Sequence, residues 1–401
     1  MTRPALDGRE LPPLLREACE ADEQIVSSRL LDEGFDDLPH QGALALPAMT
    51  IGGESAADLM RMMGITQQEA SYLTEALIQG GYLDLRAVSD NSGPQRPVVT
   101  DRGRAAINAV GAAIKVARYA AFPFREGDVI ICALPKSGTT WVQMICALLI
   151  FQTPDLPETL HALSPTLDPL SVPVDVLGAE VARQPHRRFI KTHLPLHWLT
   201  IDPGVTCVAI ARHPLDRAIS LYHHQRNISP ELDKLQSGQA PERHDPEQHD
   251  RAARPDPPEL SPREWLLRWI ERDAAPNVEQ LSRAWSRRAE PNVVSLHYAD
   301  LAAGLETEMH QLAARLGITV PEQLWPSLVK AATFKQMKAN AERIQPIGLL
   351  SKSFLRSDDA FFRRGTSGSG RELLTPAELA DYYERAGQVA PPDLLTWLHR
   401  P

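Results

Sequence analysis

The residues best equipped for chemistry form one short run, Leu134-Pro135-Lys136-Ser137-Gly138-Thr139-Thr140-Trp141. It follows an apolar stretch of buried-strand type, Asp128–Leu134, and opens an apolar helical one, Trp141–Phe151. A strand that turns at a glycine into a helix start leaves backbone N–H groups pointing outward, and the helix dipole adds partial positive charge. Lys136 and the hydroxyls of Ser137, Thr139 and Thr140 supply further donors. The ligand to expect is a phosphate or sulfate ester. The lysine precedes the glycine and the run holds no earlier glycine, so it is not the Gly-x4-Gly-Lys-Ser/Thr loop of P-loop nucleotide enzymes.

Two further runs carry complementary chemistry. Arg188-Phe189-Ile190-Lys191-Thr192-His193-Leu194-Pro195-Leu196 places a histidine just past a strand. Histidine can take a proton from an attacking hydroxyl near neutral pH. Val208–Tyr222 places Arg212 at a strand end, Pro214 at a helix start and Ser220 eight residues after the arginine. A planar guanidinium can meet phosphate oxygens with two bonds. Three more segments are Leu296–Leu301 around Tyr298, Ala331–Met337 with Thr333, Phe334 and Met337, and Phe361-Phe362-Arg363-Arg364-Gly365. Taken singly, the first two of these would serve as core packing.

Taken together and in this order, over residues 122–401, they resemble the cytosolic-type sulfotransferases. That family takes a sulfuryl group from PAPS (3′-phosphoadenosine 5′-phosphosulfate) and releases PAP. The resemblance implies catalytic roles for His193 as base, Lys136 at the oxygen bridging sulfur and the 5′-phosphate, and Lys191 at the transferred group. It implies that Lys136, Ser137, Gly138, Thr139 and Thr140 hold the 5′-phosphosulfate. Arg212, Ser220 and Arg363 would hold the 3′-phosphate, with Arg364 and Gly365 adding backbone N–H groups. Trp141, Tyr298, Thr333, Phe334 and Met337 would line the base. The implied reaction is an in-line displacement on a hydroxyl or amine of a small-molecule acceptor. No metal is called for, since lysines and backbone amides supply the positive field. The segment holding Ile344, Ile347, Leu349, Leu350, Phe354 and Leu355 suits an apolar acceptor. The chain departs from the family pattern at Ala299, where an acid is usual. It also has Gly368-Ser369-Gly370 in place of Gly-Asp-Trp, which predicts a looser closure over the donor. Pro376 and Ala380 break the family's dimer motif, so that dimer is not expected. A P-loop-type kinase and a nucleotide-sensing DNA-binding regulator are the competing readings.

These side chains need a scaffold. Asp128–Leu134, Arg188–Lys191, Val205–Arg212 and Val293–Tyr298 read as strands with helical patterns between them. Such alternation predicts an α/β fold, a P-loop-like parallel sheet flanked by helices. Residues 229–262 are rich in Pro, Asp, Glu and Arg and read as a long surface loop. The expected domains are 1–120 and 121–401.

The first domain reads as mainly helical. Leu11–Leu31 and Glu54–Met63 have helical patterns. Thr66 with Glu69 forms a capping box for a helix ending at Gly80-Gly81. Tyr82–Val88 and Pro97–Thr100 make a strand pair across the turn Asp90–Pro94, and a last helix opens at Thr100. The stretch Leu73–Ile107 resembles the winged helix of MarR-type regulators. Residues 1–120 hold 11 Lys and Arg against 17 Asp and Glu, and Gln67–Gln79 has no basic residue. A DNA-reading face is usually basic. The domain is therefore expected to serve in packing, in covering the acceptor or in homodimer formation rather than on DNA.

The whole chain of 401 residues carries a net charge of −9, which argues against a coat for nucleic acid or anionic membrane. Cys19, Cys132, Cys146 and Cys207 are widely spaced and suggest reduced, buried thiols. The opening MTRPALDGRE has no apolar signal core. The apolar run near Trp141–Phe151 is shorter than the roughly 20 residues a bilayer requires. A cytoplasmic location is expected.

Overall fold

A computed structural model describes residues 23–50, 65–87, 95–169, 172–227, 260–344, 362 and 365–400. Cys19, Glu54–Met63, the turn at Asp90–Pro94, most of the 229–262 loop, Arg363, Arg364 and the apolar positions from Ile347 to Leu355 lie outside the described residues. The chain divides into two compact units, one holding residues 1–122 with 169–178 and 231–244, the other holding the remainder.

In the first unit, helices α1 (Glu23–Asp32), α2 (His40–Thr50) and α3 (Gln67–Gln79) precede the antiparallel pair β1 (Leu83–Ala87) and β2 (Gln95–Val99), and α4 (Asp101–Ala121) follows. α3 starts where expected, because the Thr66 hydroxyl and the Glu69 carboxylate satisfy each other's backbone N–H groups. Ala70, Leu73 and Leu77 turn inward and pack with Ala106, Val110 and Ile114 of α4. α2 had no counterpart in the sequence reading. Its histidine start and internal Pro47 offer no start signal.

The second unit is built on four parallel strands in the order β4-β3-β5-β6: β3 Val129–Cys132, β4 Phe189–Thr192, β5 Thr206–Ala211 and β6 Val293–His297. All four fall inside or within one residue of the expected segments. Apart from exposed Ser295 on β6 they are buried or half-buried on both faces, so they read as near-continuous apolar runs. Val129, Ile131, Val208 and Ile210 face one layer with α5 (Thr139–Phe151). Cys132, Ala209 and Ala211 face the other, toward Leu281, Trp285, Leu394 and Trp397. Burying a Val, Leu or Ile contributes about 1.5–3 kcal/mol each, and α5 hides Val142, Ile145, Leu148 and Leu149 completely. The helix that starts at the candidate anion loop is therefore a rigid support. The carboxyl ends of β3, β4 and β5 deliver Lys136, His193 and Arg212 to one edge of the sheet. Cys132, Cys146 and Cys207 are free and buried.

The opposite ends of β3 and β4 are clamped by Asp128 and Arg188, both under 5% exposed and paired through both carboxylate oxygens. Removing one member of such a pair strands a buried charge and costs about 3–5 kcal/mol. Asp128→Ala is accordingly expected to lower the urea midpoint of the folded chain by that amount of stability. A loss under about 1 kcal/mol would mean that water reaches Arg188 freely.

Candidate active site

Lys136 and Gly138 make the sharp turn between β3 and α5. Lys136 has φ 69°, a left-handed conformation unusual for a side chain of its size, and Gly138 has φ 113°. Gly138 is also required by space. A Cβ there would sit 3.0 Å from the Ile210 side chain and 3.0 Å from the Tyr298 ring. This pressing of backbone onto β5 and Tyr298 aims the first turn of α5 outward, where its N–H groups lack partners within the helix. Ser137 and Thr139 are buried, while Lys136 and Thr140 are half-buried.

His193 stands just past β4. Its Nδ1 lies 2.8 Å from the Ala133 carbonyl oxygen. A carbonyl only accepts, so Nδ1 carries the hydrogen and Nε2 presents a lone pair. Asp168 holds the backbone beneath. Its carboxylate accepts the His193 N–H at 2.9 Å and the Thr192 hydroxyl at 2.8 Å. Next to it, the backbone at Pro165–Leu167 pairs with Lys191. Sequence reasoning missed Asp168, since no motif marks it.

Three cations gather here. Burial first, then the neighbouring Lys191 and Arg212, pull the Lys136 ammonium down to about 8. Burial also lowers Lys191, opposed by Asp168. The Arg212 guanidinium lies 4.2 Å over the Tyr298 ring and donates to the Thr366 carbonyl at 3.0 Å. Its Nε is buried and has no hydrogen-bond partner among the described residues. Like charges packed this closely favour a polyanionic ligand between them. A second histidine missed by the sequence reading, His224, sits one helical turn beyond half-buried Ser220 on α6 (Pro214–Asn227). Its pKa is pushed down to about 4 by burial, then by Lys136, His193 and Lys191, and its Nδ1 has no partner among the described residues.

The candidate base-pocket residues also carry structural duties. Trp141 is 8% exposed, donates its indole N–H to the Ala332 carbonyl and meets Tyr298 edge-on at 5.2 Å. Tyr298 is 6% exposed, between Gly138, Trp141 and Arg212. The Thr333 hydroxyl caps Phe334–Ala339, and Met337 is in the core. Phe334 lies under Gly365, where a Cβ would come within 2.5 Å of the ring, and Gly365 has φ 68°. Among the described residues, no helix is long and apolar enough to cross a membrane.

The model of the sulfotransferase domain family matches residues 126–389. A glycolipid sulfotransferase of Mycobacterium bovis is 37% identical over 304 residues, covering 70% of this chain and 90% of that protein. The Mycobacterium tuberculosis glycolipid sulfotransferase is also 37% identical over the same coverage. Among solved structures, retinol dehydratase in complex with retinol and PAP aligns with a TM-score of 0.52 and 20% identity, over 72% of this chain and 87% of that one. That likeness speaks to the fold. The chain belongs to the sulfotransferase family and is a PAPS-dependent sulfotransferase.

Proposed function

We propose that the enzyme moves the sulfuryl group of PAPS to a hydroxyl of a glycolipid-type acceptor, with His193 as base. The observation that carries this is the Nδ1 contact of His193 to the Ala133 carbonyl, which makes Nε2 the nitrogen able to accept a proton, in a cluster where Lys136, His193 and Lys191 all act on His224. The residues suit the donor. Arg212 has a buried Nε with capacity for a 3′-phosphate oxygen, and Ser220 follows it on α6. Lys136 stabilises the charge that grows on the oxygen bridging sulfur and the 5′-phosphate as that bond breaks. Lys191 and the first turn of α5 meet the equatorial sulfuryl oxygens. His193 takes the hydroxyl proton as the acceptor oxygen bonds to sulfur. Phe334, Tyr298 and Trp141 border the adenine. The acceptor class follows the names of the two 37% identical relatives.

Calorimetric titration with PAP, ADP and ATP tests the donor. PAP binding well ahead of ADP supports the reading, and ATP binding as well as PAP moves a kinase to the front. Transfer of labelled sulfate from PAPS to glycolipids and to simple phenols tests the acceptor, and transfer to phenols alone would remove the glycolipid reading.

The Lys136 ammonium makes donor binding pH-dependent. Its pKa of about 8 in the free enzyme should rise once a polyanion binds. Above pH 8 the free enzyme must then take up a proton to bind, so PAP affinity should fall by up to about tenfold per pH unit. Titrations at pH 7 and 9 in two buffers of different ionisation enthalpy measure both effects. No proton uptake at pH 9 would show that Lys136 keeps an ordinary pKa.

The first unit is proposed to be a winged-helix domain, supported by the order α3, β1, β2, α4. The exposed side of α3 presents Gln67, Gln68, Ser71, Tyr72 and Glu75, which are neutral or acidic. A gel shift with the full chain at low salt should therefore show no retention of duplex DNA. Salt-sensitive retention would restore the regulator reading.

A further inference from the structure

We infer that Asp216 is a positioning residue for donor binding: it latches the C-terminal loop 365–370 onto the first turn of α6, beside Arg212. The inference rests on the donor reading proposed above. The Asp216 carboxylate is 2% exposed. One oxygen accepts the Gly368 N–H at 2.7 Å and the other the Gly370 N–H at 2.8 Å. Among the described residues no cation forms an ion pair with it. Its charge is instead met by these two N–H groups and by the α6 N-terminus on which it sits, where carboxylates are favoured.

The loop is cut to fit this anchor. Gly370 lies so close to α6 that a Cβ would stand 2.5 Å from the Leu215 carbonyl carbon and oxygen. Gly368 has φ 95°, which suits glycine. The Gly-Ser-Gly segment thus replaces a bulky closure with direct backbone approach. Further up the same loop, Thr366 accepts from Arg212, and Gly365 rests on Phe334. The segment Arg212–Asp216 therefore grips the loop at both ends. The Arg212 fork is held by the loop that Asp216 holds.

The sign of the effect separates this role from simple electrostatics. A carboxylate close to a bound phosphate repels it, so its neutralisation alone would tighten PAP binding. A latch predicts the reverse. In Asp216→Asn the side chain keeps its shape, but one of the two N–H groups faces an amide NH2 instead of an oxygen. PAP affinity should fall about tenfold or more. ADP, which lacks the 3′-phosphate, should lose much less. The KM for PAPS should rise more than kcat falls. Gly370→Ala pushes the same contact apart from the loop side and should give the same selective loss. The double variant should be less than additive, because both changes break one contact. Hydrogen exchange of the Gly368 and Gly370 amides, read without ligand, should quicken in Asp216→Asn while the melting temperature stays near that of the parent.

Unchanged or tighter PAP binding in Asp216→Asn would overturn the latch, as would an equal loss for PAP and ADP. If Asp216→Asn does not fold, Gly370→Ala carries the same comparison. A parent enzyme that fails to bind PAP would sink the donor reading, whereas the exchange rates of the two glycine amides would still judge the latch.

Discussion

His193→Ala should leave PAP bound and reduce turnover by about 10²–10⁴, the usual contribution of a positioned general base. Two contacts give the ring its orientation. The Ala133 carbonyl takes the Nδ1 hydrogen, and the Asp168 carboxylate holds the backbone N–H from below. Nε2 is thereby fixed as the lone-pair nitrogen on an edge of the sheet shared with Lys136 and Arg212. On the proposed reading, alanine removes the proton acceptor and leaves the anion loop, Lys136, Lys191 and Arg212 in place. Single-turnover assays with saturating PAPS read the chemical step, and calorimetry with PAP reads donor binding. A large loss of PAP affinity with turnover little changed would place the imidazole on the donor and remove it from acid–base work. His193→Gln, which can still donate to Ala133 but cannot accept a proton at neutral pH, should be as slow as alanine. Recovery of activity in glutamine would mean that the ring is only a spacer.

The contrast between His193 and Asp168 shows what a sequence can disclose about such a site. His193, Lys136 and Arg212 were legible because each follows an apolar run, and buried parallel strands announce themselves that way. A chemically rich residue at the end of such a run must lie at the carboxyl edge of the sheet. The capping box was legible for a similar reason, since Thr66 and Glu69 are a short-range hydrogen-bond pair. Asp168 comes from an irregular segment whose pairing with Lys191 is a tertiary event, and nothing local marks it. His224 is invisible in the same way, because only the fold brings it into the field of Lys136 and His193. The left-handed Lys136 could not be read from its residue type, which favours other conformations. The loop at Gly368-Ser369-Gly370 was read by what it lacks relative to the family pattern, as a looser closure. Its two backbone bonds to Asp216 show why glycine is needed there: the backbone itself makes the contact. The base-pocket candidates Trp141, Tyr298 and Met337 turn out to be deeply packed, so their sequence signals mix core and ligand roles.

Arg212→Ala should abolish the preference for a 3′-phosphate. Two consequences of the change act in the same direction. The donor loses a guanidinium able to bond its phosphate twice, and each hydrogen bond to a charged group contributes about 1.5–3 kcal/mol. The loop also loses the Thr366 tether, and the Tyr298 face loses the cation above it. PAP affinity is therefore expected to fall by about 10²-fold or more, while ADP affinity falls far less. Lysine cannot restore the effect, since an ammonium lacks the planar fork and the ring stacking of arginine. Arg212→Lys should recover charge but regain only a part of the PAP preference. The measurement is the ratio of PAP to ADP dissociation constants for the parent, alanine and lysine chains at one ionic strength, because screening would otherwise distort the comparison. A ratio that stays at the parental value in Arg212→Ala would mean that the 3′-phosphate is gripped elsewhere. The buried Nε would then be a feature of the protein's own packing, and the selectivity of the donor site would have to be sought in the residues that precede Gly365.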